Sequence, residues 1–151
     1  MILEQKRLLA IDYGEKRIGI AVSDPTGMIA TGIESYLRTQ SVKQDVLHIK
    51  DICRQYGISK IICGLPLNMD GTQGTSALKA QAFAKRLREL TRLDVEFFDE
   101  RLTTVTATEY LIEADMSREK RRKIVDKMAA VEILQSYLDE QQEKKGIADN
   151  G

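Results

Sequence analysis

The six residues Arg7-Leu8-Leu9-Ala10-Ile11-Asp12 constrain the fold more than any others in the chain. Four apolar side chains follow one another without alternating with polar ones, and the run stops at an acid. A strand with one wet face alternates, so an unbroken apolar run marks a strand covered on both faces, at the centre of a sheet. Asp12 then falls at the carboxyl end of a central strand. An unpaired charge there is costly, so its carboxylate must be solvated, paired or metal-bound. A plain turn-initiating role before Tyr13-Gly14 remains open at this point.

The segments that follow supply the rest of that sheet. Tyr13-Gly14-Glu15-Lys16 is a turn, and Arg17–Ser23 a second strand with Ile18, Ile20 and Val22 on one face. Its other face carries Gly19, Ala21 and Ser23, small enough for another element to pack close. Asp24-Pro25-Thr26-Gly27 matches a type I turn, and Met28–Ser35 makes a third strand, which completes an antiparallel meander. The hydrophobic period then changes. Ser41-x-x-Gln44 is a capping box, followed by Val42, Val46, Ile49, Cys53 and Tyr56 at helical spacing, with Gly57 as C-cap. Lys60–Gly64 is a short buried strand and residues 64–75 a Gly-rich polar loop. Leu78, Ala82, Phe83, Leu87 and Leu90 mark a helix, Val95–Phe98 a fifth strand. Thr106-x-x-Glu109 is a possible cap of a short helix. Ala129, Ala130, Ile133, Leu134, Tyr137 and Leu138 mark a final helix. Strands alternating with helices pair in parallel. The expectation is an α/β fold with a mixed five-stranded sheet, antiparallel then parallel, flanked by helices. One domain spans residues 1–138, and 139–151 is a polar, flexible tail.

The 151 residues suit a single domain, and 42% apolar content can fill a core. No apolar run approaches the roughly 18 residues of a membrane span, and the first residues lack a signal peptide's apolar stretch. A soluble cytoplasmic protein without membrane contact is expected. Cys53 and Cys63 do not form a Cys-x-x-Cys pair and read as core packing, and His48 reads as a surface histidine. Net charge is zero but uneven. Residues 94–115 carry seven acids against Arg101 alone, and 117–127 carry six bases against two acids. Such blocks are solvated faces, or they surround a metal-loaded site that binds a polyanion.

Carboxylates are left to carry the chemistry. Glu100 follows the fifth strand, where alternation forbids Asp99 and Glu100 from sharing a site if the strand stays regular. Asp126 steps by three and four onto the apolar face of the final helix. Simpler roles exist: Asp99 and Glu100 as acids favoured by a following helix dipole, and Asp126 as a residue of a first turn. Converging on one edge, the three acids would repel unless cations neutralised them. Mg²⁺ or Mn²⁺ prefers such oxygen ligands. Two ions about 4 Å apart can activate water and stabilise a leaving oxygen.

These residues sit in a pattern that resembles the YqgF (RuvX) family. Asp12-Tyr13-Gly14-Glu15-Lys16-Arg17-Ile18-Gly19-Ile20-Ala21 is similar to its opening motif. Gly64-Leu65-Pro66-Leu67-Asn68-Met69-Asp70-Gly71-Thr72 is similar to its central loop, Asp99-Glu100-Arg101-Leu102-Thr103-Thr104 to its third motif, and Asp126–Leu134 to its last. The likeness runs from about Arg7 to Leu138. It implies an RNase H-like fold, shared with RuvC-type Holliday junction resolvases. It also implies a nuclease acting at the 5′ end of pre-16S rRNA, with Asp12, Glu100 and Asp126 as catalytic, metal-holding acids and two Mg²⁺ or Mn²⁺ ions when substrate is bound.

The supporting cast is basic or polar. Lys16 and Arg17 could meet a scissile phosphate or be hairpin charges. Asn68 and Thr72 add donors to the Gly-rich loop. Arg101 could pair with Glu100 or reach phosphate. Arg118, Arg121, Arg122 and Lys123 could grip a nucleic-acid backbone without reading sequence. Low aromatic content argues against a single-strand stacking platform. Other readings stay in play. One is a branched-DNA nuclease of the Holliday junction type, and another is a non-catalytic nucleic-acid-binding module. A third is an ATPase fragment, since Asp12-x-Gly14-x-x-x-x-Gly19 resembles the first phosphate loop of actin-like ATPases.

Overall fold

A computed structural model describes residues 6–103 and 117–150, with side chains to 146. The expected five-stranded sheet is there. Strands β1 (Arg7–Tyr13), β2 (Arg17–Ser23), β3 (Ala30–Leu37), β4 (Ile58–Leu65) and β5 (Asp94–Asp99) lie in the order β3-β2-β1-β4-β5. β1 is central, antiparallel to β2 and parallel to β4. β2 pairs with β3 antiparallel and β4 with β5 in parallel. The unbroken apolar run of β1 is explained by this position, since Leu9, Ala10 and Ile11 are all buried.

Two layers of helix cover the sheet. Helices α1 (Val42–Tyr56) and α2 (Thr75–Thr91) pack on the face of Leu9, Ile11, Ile18, Ile20, Ile61 and Cys63. Helix α3 (Arg118–Asn150) crosses β1, β2 and β3 on the other face, over Ala10, Ala21 and Ile62. The cap of α1 forms as expected: the Ser41 hydroxyl accepts from the Gln44 N–H at 3.2 Å, and Gly57 ends the helix in the left-handed region at φ 63°. Both cysteines are free and buried.

Several expected boundaries shift, each for a local reason. β3 starts at Ala30 rather than Met28 because the Asp24 carboxylate captures the N–H groups of Met28 and Ile29 at 2.8 and 2.9 Å, extending the turn. These bonds, and one from the Thr26 hydroxyl, hold the Asp24 carboxyl down at about 2. β4 runs through Leu65, so Gly64 belongs to the sheet and not to the loop. The polar stretch from Asp139, expected to be a flexible tail, continues α3 to Asn150. It is rich in Glu, Gln and Lys, which are good helix formers, and Glu140 pairs with Lys144 one turn on at 3.2 Å. His48 is half-buried rather than a free surface residue: its Nε2 lies 2.8 Å from a Glu34 oxygen and its ring stacks on Tyr36. The helix expected after Thr106 lies outside the described residues.

Helix α3 is fastened at two further points. The Gln135 side chain accepts from the Ala30 N–H at 3.0 Å and donates to the Met28 carbonyl at 2.9 Å. The Tyr137 hydroxyl donates to Glu96 at 2.7 Å and accepts from Lys60 at 3.2 Å, where Lys60 and Glu96 pair at 2.6 Å. The helix is therefore pinned to the edge strand β3 and to β4 and β5, which fixes Asp126 over the sheet.

Candidate active site

The site is built around a transverse row of sheet residues. Asp12 at the end of β1 pairs with Gly19 of β2, and Gly19 pairs with Ser35 of β3. On the other side Ile11 pairs with Cys63, which brings Gly64 beside Asp12. Asp12 is thus flanked by two glycines, and each missing side chain is replaced by something functional. A Cβ on Gly19 would lie 2.0 Å from the Asp126 carbonyl oxygen, so the α3 backbone rests directly on β2. A Cβ on Gly64 would lie 3.1 Å from the Glu100 carboxyl carbon and 2.5 Å from Ile133 Cδ1. The small face expected for β2 is what lets the helix come down.

Glu100 opens a short 3₁₀ turn, Glu100–Leu102, directly after β5. That turn breaks the strand alternation and sends neighbouring acids to different tasks. Glu100 turns inward and shares a hydrogen bond with Asp12. Asp99 instead caps the turn, accepting from the Arg101 N–H at 3.0 Å, and takes the Arg101 guanidinium at 2.7 Å. Burial and the neighbouring Asp12 charge push the Glu100 carboxyl up to about 8. Burial also raises Asp12, opposed by the Glu100 hydrogen bond and reinforced by the Asp126 charge. At neutral pH the pair therefore holds a shared proton.

Asp126 lies in the expected place but does not join the pair directly. Half-buried above Gly19, it accepts a 2.8 Å hydrogen bond from the Ser35 hydroxyl. Asp12 and Glu100 are in contact, and Asp126 lies close enough for its charge to act on Asp12 while Ser35 holds its carboxylate. Among the described residues, no three His, Cys, Asp or Glu side chains are grouped to hold an ion. Asp12 and Glu100 meet, and Asp126 is held one strand away by Ser35. The donor set nonetheless suits a hard divalent cation. Two carboxyls are in contact, a third charge raises one of them, and among the described residues no Lys or Arg forms an ion pair with any of the three.

The basic and polar residues divide. Lys16, Arg17 and Arg122 line one groove together with Asp126, at the β1–β2 hairpin and the first turns of α3. Arg118 is exposed at the helix start, and Lys123 lies 3.9 Å from Glu119. Arg121 is half-buried, its Nε buried without a partner among the described residues. Arg101 does not pair with Glu100 as considered. Beyond Asp99, it donates to the Met69 carbonyl at 3.2 Å, tying the 66–74 loop to the site. Asn68 and Thr72 were expected as free donors but bond to each other at 2.9 Å, and Thr72 also donates to Asp70 at 2.6 Å. Their donors close the loop on itself. Ser35 went unnoticed in the sequence. Only its register opposite Gly19 marks it, and a meander's register is not legible without the turn lengths.

A mixed sheet in the order β3-β2-β1-β4-β5, with acids at the ends of β1 and β5 and on a helix crossing the meander, defines an RNase H-like protein. RuvC from Thermus thermophilus bound to a Holliday junction substrate shares this fold at TM-score 0.61 and 10% identity, over 91% of this chain and 96% of that one. A second Thermus thermophilus RuvC structure matches at TM-score 0.54 with the same coverage. Residues 6–140 match the family model described as RuvX, Holliday junction resolvase, and the chain belongs to that family. A relative from Syntrophomonas wolfei, named as a candidate pre-16S rRNA nuclease, is 48% identical over 133 residues, covering 88% of this chain and 94% of its own. One from Clostridium beijerinckii with the same name is 50% identical over 133 residues, covering 88% and 96%.

Proposed function

We propose that the chain is a divalent-metal-dependent endonuclease that hydrolyses phosphodiester bonds in RNA, with the 5′ end of pre-16S rRNA as its substrate. The observation that carries this reading is the Asp12–Glu100 pair, two carboxyls in contact at the end of the central strand with no cationic partner among the described residues. Family membership and the names of the relatives supply the substrate.

Asp12 and Glu100 would hold Mg²⁺ or Mn²⁺, with Asp126 as the third acid once it leaves Ser35. Bound there, the ions lower the pKa of a water and stabilise the oxygen that leaves phosphorus. The chain's own residues do the rest. Asp12 and Glu100 give up their shared proton to become full oxygen donors. Lys16, Arg17 and Arg122 hold the phosphates on either side of the hairpin, and Arg101 fixes the loop that borders the site. As the water oxygen bonds to phosphorus, the phosphorus–oxygen bond to the ribose breaks; the water's proton passes to solvent and the departing ribose oxygen takes one from solvent. This basic groove binds backbone and reads no base.

The test is cleavage of a 5′-extended 16S rRNA leader with Mn²⁺ by the wild type and by Asp12→Asn. Metal-dependent cleavage lost in the variant supports the reading. Binding without cleavage at any divalent ion concentration leaves a binding module. The family description favours a second substrate, branched DNA, so a four-way junction is run in parallel. Cleavage of the junction and not of the leader would transfer the activity to DNA.

A further inference from the structure

The β1–β2 hairpin has a second cleft on its far side, away from α3. Tyr13, Arg38 and Lys79 line two contiguous hollows there, of about 140 and 520 Å³. The smaller opens at Gly14, Glu15 and Ser76, and Gly14 and Glu15 also line the groove beside Asp126. The cleft therefore continues the candidate active site around the hairpin. None of its basic residues was singled out by the sequence patterns that marked the acids.

Its walls are chemically divided. Ser76, Lys79, Ala82 and Arg86 follow one another at three- and four-residue steps along the exposed face of α2. Arg38 comes from beyond β3, donates to the Gly14 and Glu15 carbonyls at 3.1 and 2.7 Å, and lies over the Tyr13 ring at 4.5 Å. Tyr13 in turn stacks on Phe83 at 4.4 Å. Val42, Ala82 and Phe83 give the larger hollow an apolar floor. Three cations and one acid, the exposed Glu15, line the two hollows, and Arg38 is already paired with the buried Asp45 at 3.8 Å. Arg86 lies 3.8 Å from Glu89, whereas Lys79 has no ion pair among the described residues.

We infer that this cleft receives one unpaired nucleotide of the substrate strand next to the cleaved bond, its phosphate at Lys79 and Ser76 and its base and sugar over Val42 and Ala82. The inference rests on the nuclease reading and narrows its substrate to strands that are single-stranded at the hairpin. Phosphate complements the cationic rim, and the combined hollow is of the size that takes a small ligand, about 300–1,000 Å³. An unpaired base exposes the face that Val42, Ala82 and Phe83 would cover, whereas in a duplex that face is already stacked on its neighbours. Arg38 Nη1 donates to both the Gly14 and the Glu15 carbonyl and so ties down the hairpin that separates the two grooves.

The experiment measures equilibrium binding of a fluorescein-labelled 12-nucleotide RNA, single-stranded or as a blunt duplex, to the full chain in EDTA. The variants are Lys79→Ala/Arg86→Ala and Ala82→Trp, all at exposed positions. Removing the Lys79 phosphate contact together with the rim charge of Arg86 is expected to weaken single-strand binding about tenfold and to flatten the log–log salt slope by about one. Ala82→Trp fills the floor and is expected to weaken single-strand binding without changing the salt slope. Duplex binding should move less than twofold in both. Unchanged single-strand affinity in both variants, or equal losses for single strand and duplex, overturns the inference. If those variants behave as wild type while wild type still cleaves RNA, the nuclease reading stands alone. If wild type binds neither form, both readings fall.

Discussion

Replacing Glu100 by Gln should change how stability depends on pH. In the folded chain Glu100 holds its proton to about pH 8, against an ordinary value of 4.5. Between these values the native state binds one more proton than the unfolded state. Stability then falls as pH rises, by about 1.4 kcal/mol per pH unit for one proton. The contribution of the protonated pair is complete below pH 4.5 and is lost as pH passes 8. The whole span sets a ceiling of about 5 kcal/mol. Glu100 is only half-buried, so solvent relaxation reduces this, and a loss of about 2 kcal/mol is expected between pH 5 and 8. Glutamine keeps a hydrogen bond to Asp12 and carries no ionisable proton. Glu100→Gln should therefore match wild type near pH 5 and exceed it by about 2 kcal/mol at pH 8. Urea unfolding at pH 5, 6, 7 and 8 in EDTA measures both. Parallel pH profiles for the two proteins would refute the shared proton.

Two further outcomes test the geometry. Gly19→Ala places a methyl against the Asp126 carbonyl, a backbone contact that no rotamer relieves, and should cost about 3 kcal/mol in urea unfolding; a loss under 1 kcal/mol would mean that α3 is not seated on β2. Lys16→Ala/Arg122→Ala removes two cations from the groove beside Asp126 and should flatten the salt dependence of RNA binding by about one to two in log–log slope, with turnover at saturating RNA kept within threefold; an unchanged slope would move the phosphate contacts to another surface.

The elements that could be read from the sequence are those whose pattern is local. The unbroken apolar run of β1, the small face of β2, the Ser41 cap and the Gly57 stop each rest on a few adjacent residues, and each stands where expected. Asp126 was legible as an acid on an apolar helical face because helical spacing carries through three turns. Features that depend on which of several near or distant partners a side chain takes were not legible. Asp24 lengthens its turn by capturing two later N–H groups, and this moved the start of β3. Ser35 became a partner of Asp126 through sheet register, and Arg101 chose Asp99 over Glu100 because a 3₁₀ turn parted the two acids. Asn68 and Thr72 were recognised as polar loop residues, but their spacing did not reveal that they satisfy each other.

The contact between Gly19 and the Asp126 backbone has a consequence for synthesis. Asp12 ends the central strand and Glu100 opens the turn directly after β5, so both have been synthesised by Leu102, whereas Asp126 arrives on α3. A nascent chain that ends at Leu102 has the pair without the Asp126 backbone that covers Gly19. The seat is the strip of β2 backbone at Gly19, against which the Asp126 main chain lies. Asp126 reaches its place over Gly19 only when α3 emerges and docks, so the candidate site of a chain still being translated lacks its third carboxyl until α3 has left the ribosome.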